Sequence, residues 1–244
     1  MSDRDPHTPD SNLVLSYNAV RQALGYIGWF LPLSLLAFAQ IGNHPIEASI
    51  SDYYYTPMGG VLTGTLFAIG VFLVAYRGYD PTPGERLSDR WLARVAGVSA
   101  LGIALLPVHR SGYPICTDTL PCWAFGAWAH PEILHYGAAI VFFTCLALFS
   151  LVQFPRGERD DAGRLIWSSR AIIYLGCGTV ILAVMAAILP YFLVGEAARE
   201  ALSDRKYLFW CESLGIIAFA TSWLTKGRAF SSLAGVARRI SGRA

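Results

Sequence analysis

Apolar residues in this chain gather into six blocks with short polar segments between them. The blocks cover 23–41, 57–76, 91–108, 131–154, 171–195 and 207–225, and each falls in the roughly 17–25 residues that a helix needs to cross a bilayer. Together they use about half of the 244 residues. Only short loops and two tails remain, so there is no room for a separate soluble domain. The pattern predicts an all-α, polytopic membrane bundle of six transmembrane helices over residues 21–227. Residues 1–20 are polar and lack apolar periodicity at their start, which predicts a disordered tail. In 228–244, Phe230, Leu233, Ala237 and Ile240 recur at helical spacing beside Arg238, Arg239 and Arg243. This suits a basic amphipathic helix on an anionic leaflet.

Composition agrees with a membrane protein. Hydrophobic residues make up 54% and charged residues 15%, against a charged share of roughly 25% in soluble domains. The net charge of +2 says little, but its distribution says more. With the N-terminus in the cytoplasm, all but four of the 19 basic residues fall on the inner side; Arg110, Arg199, Arg205 and Lys206 are the exceptions. The positive-inside rule therefore places both termini in the cytoplasm and the protein in the inner membrane. The arginines are scattered over four segments and mixed with acids such as Asp89, Asp160 and Asp161, which argues against nucleic acid as a partner. Ala37-Phe38-Ala39 resembles a signal-cleavage site. The polar leader with Asp3, Asp5 and Asp10, and Pro32 within the apolar run, favour an uncleaved first span.

Local signals delimit the spans. Thr56-Pro57 reads as a cap followed by a first-turn proline, Pro131 opens the fourth span, and Ser203 is a candidate cap for the sixth. Arg94 in the third span can snorkel to the interface. Gly60 and Gly64 form a small-xxx-small pair that would admit a neighbouring helix, as would Gly97, Gly102, Gly176, Gly178 and Gly215. Such faces could equally support a homo-oligomer. Cys116 and Cys122 lie in the long loop that charge puts outside, where a disulfide is permitted. Their spacing exceeds the usual two to four residues of a zinc pair. Cys145, Cys177 and Cys211 lie within spans and read as packing residues.

The topology also sorts the ionisable groups. His44, His109, His130 and His135 all fall on the outer side, with His7 alone in the N-terminal tail. Asp52 precedes span two, His109 follows span three, Glu132 and His135 open span four, and Glu212 lies inside span six. A carboxylate in a span is costly and calls for a partner; His135 is the first choice for Glu212, and Glu132 also suits the positive end of a helix dipole. Ser51, Asp52 and Tyr54 stand at the mouth of span two, where three successive tyrosines also suit an aromatic belt. These groups predict an outward-facing polar pocket that binds or senses membrane lipid, without enzymatic activity or with an activity left open. The alternative is a metal-assisted lipid hydrolase or transferase, with zinc held by His109, His135, Asp52 and Glu212. No paired-histidine helix motif accompanies that set.

Ile50-Ser51-Asp52 before a proline at the mouth of span two, with His135 leading Gly137-Ala138 in span four, resembles the six-span damage-regulated autophagy modulators and related lipid-remodelling proteins. It is similar as well to bacterial six-span families of unknown function. The resemblance implies a six-helix bundle in the membrane with a lipid-related role and no established catalytic mechanism. Tyr54 departs from it, standing where that family usually has glycine. The alkaline ceramidase and adiponectin-receptor superfamily is more distant, since the paired histidines of its last span are lacking here.

Overall fold

The computed structural model describes residues 9–78, 87–108, 131–160 and 162–229, and every regular element among them is helical except one β-bridge between Arg159 and Leu165. In chain order the α-helices are α1 (Pro9–Ile41), α2 (Gly59–Ala75), α3 (Asp89–Leu105), α4 (Pro131–Leu148), α5 (Ser169–Leu193), α6 (Glu196–Asp204) and α7 (Tyr207–Lys226). A π-helical turn, Phe149–Gln153, and a 3-10 turn, Phe154–Glu158, continue the chain beyond α4. Pro155 ends the regular ladder there because it has no amide to donate.

Four stretches are long and apolar enough to cross a membrane: Tyr17–Ile41, Glu132–Glu158, Ser169–Leu193 and Tyr207–Lys226. The protein is therefore a multi-pass helical membrane protein. Large apolar side chains lie on the outside of the bundle, among them Phe30, Val98 and Ile172. Such an apolar exterior suits lipid far better than water. The blocks expected at 57–76 and 91–108 form the shorter helices α2 and α3. Asp89, Arg90 and Arg94 reduce the apolar character of the first two turns of α3.

Consecutive helices lie side by side, as short connections dictate. α1 packs on α2, α2 on α3, α3 on α4 and α4 on α5; α5 and α1 both pack on α7, which closes the ring. The tightest approaches are made at glycines. A Cβ on Gly97 of α3 would lie 2.7 Å from the Gly70 carbonyl oxygen of α2, and one on Gly28 of α1 would lie 2.9 Å from the Ala220 Cβ of α7. Gly102, Gly178 and Gly215 also face neighbours, as expected. Gly60, Gly64 and Gly176 do not: nothing lies within 4 Å of a Cβ built on them, so they point outward.

Three local expectations are corrected. α1 begins at Pro9, so most of the expected tail of 1–20 is helical. Leu13-Val14-Leu15 carries the apolar character upstream, and a proline at the first helical position gives up no bonded amide. Span two starts at Gly59 rather than Pro57; Thr56 instead closes the preceding turn by donating its hydroxyl to the Tyr53 carbonyl, 2.8 Å away. Ser203 does not cap span six, because it lies in α6 and bonds to the Tyr191 hydroxyl at 2.8 Å. α7 starts after Lys206, which takes a left-handed conformation with φ of 57°. The tail 230–244, His109, and the Cys116 and Cys122 pair lie outside the described residues.

At the end of the bundle that holds the start of α1, buried aromatics surround Trp223, with Phe149 and Phe154 5.2 and 5.3 Å from it, centroid to centroid. Two cations are taken into this cluster. Arg21 donates to the Tyr76 hydroxyl at 2.8 Å, and Lys226 donates to the Phe154 carbonyl at 3.1 Å while lying over the Phe154 and Tyr174 rings. Aromatic faces thus lie over both charges, with a tyrosine hydroxyl bonded to one and a carbonyl to the other.

Candidate functional site

At the opposite end, residues 42–58 connect α1 to α2 and fold inward over the bundle. The segment Ser49–Asp52 is tied to itself first. The Asp52 amide donates to Ser49 Oγ at 3.1 Å, and Asp52 Oδ2 accepts from the Ser49 amide at 3.0 Å. These reciprocal bonds follow the pattern of a capping box and brace the start of the 3-10 turn Ser51–Tyr55, which Asp52 enters. It fixes the direction in which Ser51 points.

Four further bonds tie residues 48–55 to the rest of the bundle. The Phe209 amide, one of the unpaired donors in the first turn of α7, reaches the Ala48 carbonyl at 3.0 Å. The Ile50 amide donates to Glu212 Oε2 at 2.6 Å. The Tyr55 hydroxyl donates to the Val108 carbonyl at 2.7 Å. Ser51 Oγ lies 2.9 Å from Nε2 of His135, which is 5% exposed. On the other side of that ring, Nδ1 lies 2.7 Å from the Leu106 carbonyl oxygen at the end of α3. A carbonyl oxygen only accepts, so Nδ1 carries a hydrogen; in the neutral ring, Nε2 then offers its lone pair to the Ser51 hydroxyl. Asp52 lines the same cavity as His135 and Glu212. Outside the spans, burial raises the Tyr53 hydroxyl above its ordinary range, and that oxygen accepts from the Glu47 amide at 3.4 Å.

A cavity of about 290 Å³ opens below this segment. Ser49, Ser51, Asp52, His135 and Glu212 form one end of it, and the body is apolar, with Leu31, Leu62, Leu66, Phe142, Phe143 and Ile216 in its wall. Phe142 and Phe143 lie about two turns beyond His135 on α4, roughly 10–12 Å along the axis. Between α4 and α5 the wall is made by Ile140 and Leu189, each 60% exposed, and by the exposed Tyr136 and Phe192. The cavity therefore opens on the flank of the bundle.

Of the residues expected at a polar pocket, Ser51, Asp52, His135 and Glu212 do meet there. The expected pairing of His135 with Glu212 is not formed. Each instead holds the 49–52 segment, His135 through the Ser51 side chain and Glu212 through the Ile50 amide. Tyr54 is packed against the core rather than the cavity, and the tyrosines in the cavity wall are Tyr136 and Tyr191. Glu132 stands in the first turn of α4, away from the cavity wall. Among the described residues no three His, Cys, Asp or Glu side chains converge into a group able to hold a metal ion. Both His135 nitrogens already have partners. Ser49 joins the site beyond the expected residues, and its spacing from Asp52 in Ser-x-x-Asp is a recognisable capping signal. The Leu106 carbonyl joins it too, and no residue type gives a signal for that.

No curated protein and no solved structure matches the chain. Neither comparison links the chain to the autophagy modulators. A family model described as a protein of unknown function, DUF998, matches residues 23–224, and the chain belongs to that family.

Proposed function

We propose that the protein is an inner-membrane, six-span bundle with both termini in the cytoplasm, and that its outward end binds a membrane lipid. One observation carries this reading: a single cavity joins a polar head, made by Ser51, Asp52, His135 and Glu212, to an apolar body that opens on the bundle's flank. An amphiphile has the same division. Its polar group would find donors and acceptors at the head of the cavity, while an acyl chain would lie against Phe142, Phe143 and Ile216. The volume is at the small end of ligand pockets, roughly 300–1,000 Å³, and suits one chain rather than a whole diacyl lipid. A flank opening lets that chain arrive from the bilayer without passing through water. Arg77, Arg90, Arg156 and Arg170, all at the other end of the bundle, support the cytoplasmic assignment of that end.

Native mass spectrometry tests the reading. Protein extracted in mild detergent is expected to retain a lipid, and Ala139→Trp, which places an indole in the cavity wall, is expected to release it with the melting temperature kept within a few degrees. Equal lipid retention by both proteins would refute the reading.

A further inference from the structure

We propose that Ser51 is a nucleophile and His135 its general base, so that the cavity hydrolyses an acyl ester. The proposal rests on the amphiphile reading above and adds a reaction to it. Most described hydroxyls within the long helices are satisfied locally, whereas Ser150 and Ser168 donate to the Ser222 hydroxyl and the Glu158 carboxylate. Ser34, Thr63, Thr144, Thr179, Thr221 and Thr225 all donate to a backbone carbonyl three or four residues earlier on their own helix. That is the ordinary fate of a hydroxyl in an apolar helix. The Ser51 hydroxyl is spent instead on an imidazole 84 residues away in sequence.

The pair has the geometry that base activation requires. A nucleophile needs its base within about 2.6–3.2 Å, and the base needs a third group to fix its orientation; Ser51 Oγ lies 2.9 Å from His135 Nε2, and the Leu106 carbonyl holds Nδ1 at 2.7 Å. That carbonyl does for the ring what a carboxylate does in a serine triad, selecting the tautomer with its lone pair on Nε2. Asp52 adds a carboxylate to the same end of the cavity. Its Oδ2 is held by the Ser49 amide and hydroxyl, both at 3.0 Å, which keeps the carboxylate in place. Ser51 and His135 both face the cavity.

The chemistry follows in two halves. Ser51 Oγ attacks the carbonyl carbon of an ester whose chain occupies the apolar body, and His135 Nε2 takes the hydroxyl proton. The bond to the leaving alkoxide breaks, and that oxygen receives the proton from Nε2, which leaves an acyl group on Ser51. Water then attacks the acyl-serine. His135 again takes a proton and returns it to Ser51 Oγ, releasing a carboxylic acid.

The full-length protein in phosphatidylcholine nanodiscs, treated with a dodecyl fluorophosphonate, tests this. The expected result is phosphonylation mapped to Ser51, with fluoride displaced, and release of nitrophenol from p-nitrophenyl laurate. Ser51→Ala should abolish both. His135→Asn, whose amide can still donate to the Leu106 carbonyl, should slow labelling by about 10²-fold or more. Ser51→Cys should restore labelling by a thiol-directed acyl probe, and this variant checks the site if Ser51→Ala unfolds. Binding of a non-hydrolysable dodecyl ether, measured on the same samples, separates the two layers of the account. Ether binding without labelling of Ser51 overturns the nucleophile alone; absence of both overturns the cavity reading too. Labelling that persists in folded Ser51→Ala also overturns the proposal.

Discussion

A carboxylate a turn and a half into an apolar helix has to find a donor, and Glu212 finds the Ile50 amide at 2.6 Å. Removing the acceptor would leave that amide buried without a partner, at a cost of about 1–3 kcal/mol. Glu212→Leu is therefore expected to lower stability by that amount in denaturant titrations on the detergent-solubilised protein. Glu212→Gln, which keeps a carbonyl oxygen in place, should lose well under half as much. Equal losses would mean that the Ile50 contact does not matter. The importance of Glu212 was legible in the sequence because an acid in an apolar block is rare. Its partner was not, since a backbone amide has no residue letter. The same holds for His135: its depth and side of the bundle could be read, but the Leu106 carbonyl that selects its tautomer could not. Pairing the two ionisable residues with each other was reasonable from depth alone, and it failed because the loop between α1 and α2 folds between them.

Among the helices, most block boundaries were legible to within a few residues, the start of α1 excepted, because apolar content and proline positions determine them. α5, for example, runs over Ser169–Leu193 against an expected 171–195. Which faces meet was not legible, because in a membrane both the lipid side and the protein side of a helix are apolar. Gly60 and Gly64 have the spacing of a contact pair and yet point outward, whereas Gly25, Gly28 and Gly70 pack tightly with no comparable signal. This difference gives opposite expectations for one chemical change. Gly97→Ala would drive a methyl group toward the Gly70 carbonyl and the Val74 amide, both under 3 Å away, and overpacking of this kind costs about 1–3 kcal/mol. Gly64→Ala meets nothing and should be neutral or stabilising, by up to about 1 kcal/mol, through helix propensity. Thermal melts of the two variants in one detergent check the contrast.

Taken whole, the molecule has two unlike ends joined by a ring of helices. One end sets Arg21 and Lys226 against aromatic rings, bonded to a tyrosine hydroxyl and a carbonyl; the other turns Ser51, Asp52, His135 and Glu212 toward a cavity. The short polar segment 49–52 carries much of this second end. Its reciprocal Ser49–Asp52 bonds set the local turn, its backbone engages α7, and its serine engages α4, so two helices are held around one opening. The proposed role of this end depends on that opening receiving an acyl chain. The most direct measurement is photo-crosslinking with a phospholipid that carries a diazirine near the end of one acyl chain, incorporated into vesicles with the intact protein. Crosslinks mapped by mass spectrometry should concentrate on Phe142, Phe143, Met185 and Ile216, and should be displaced by excess dodecyl ether. Crosslinks confined to outward residues such as Phe67, Val71 and Val98, with none in the cavity wall, would contradict the account.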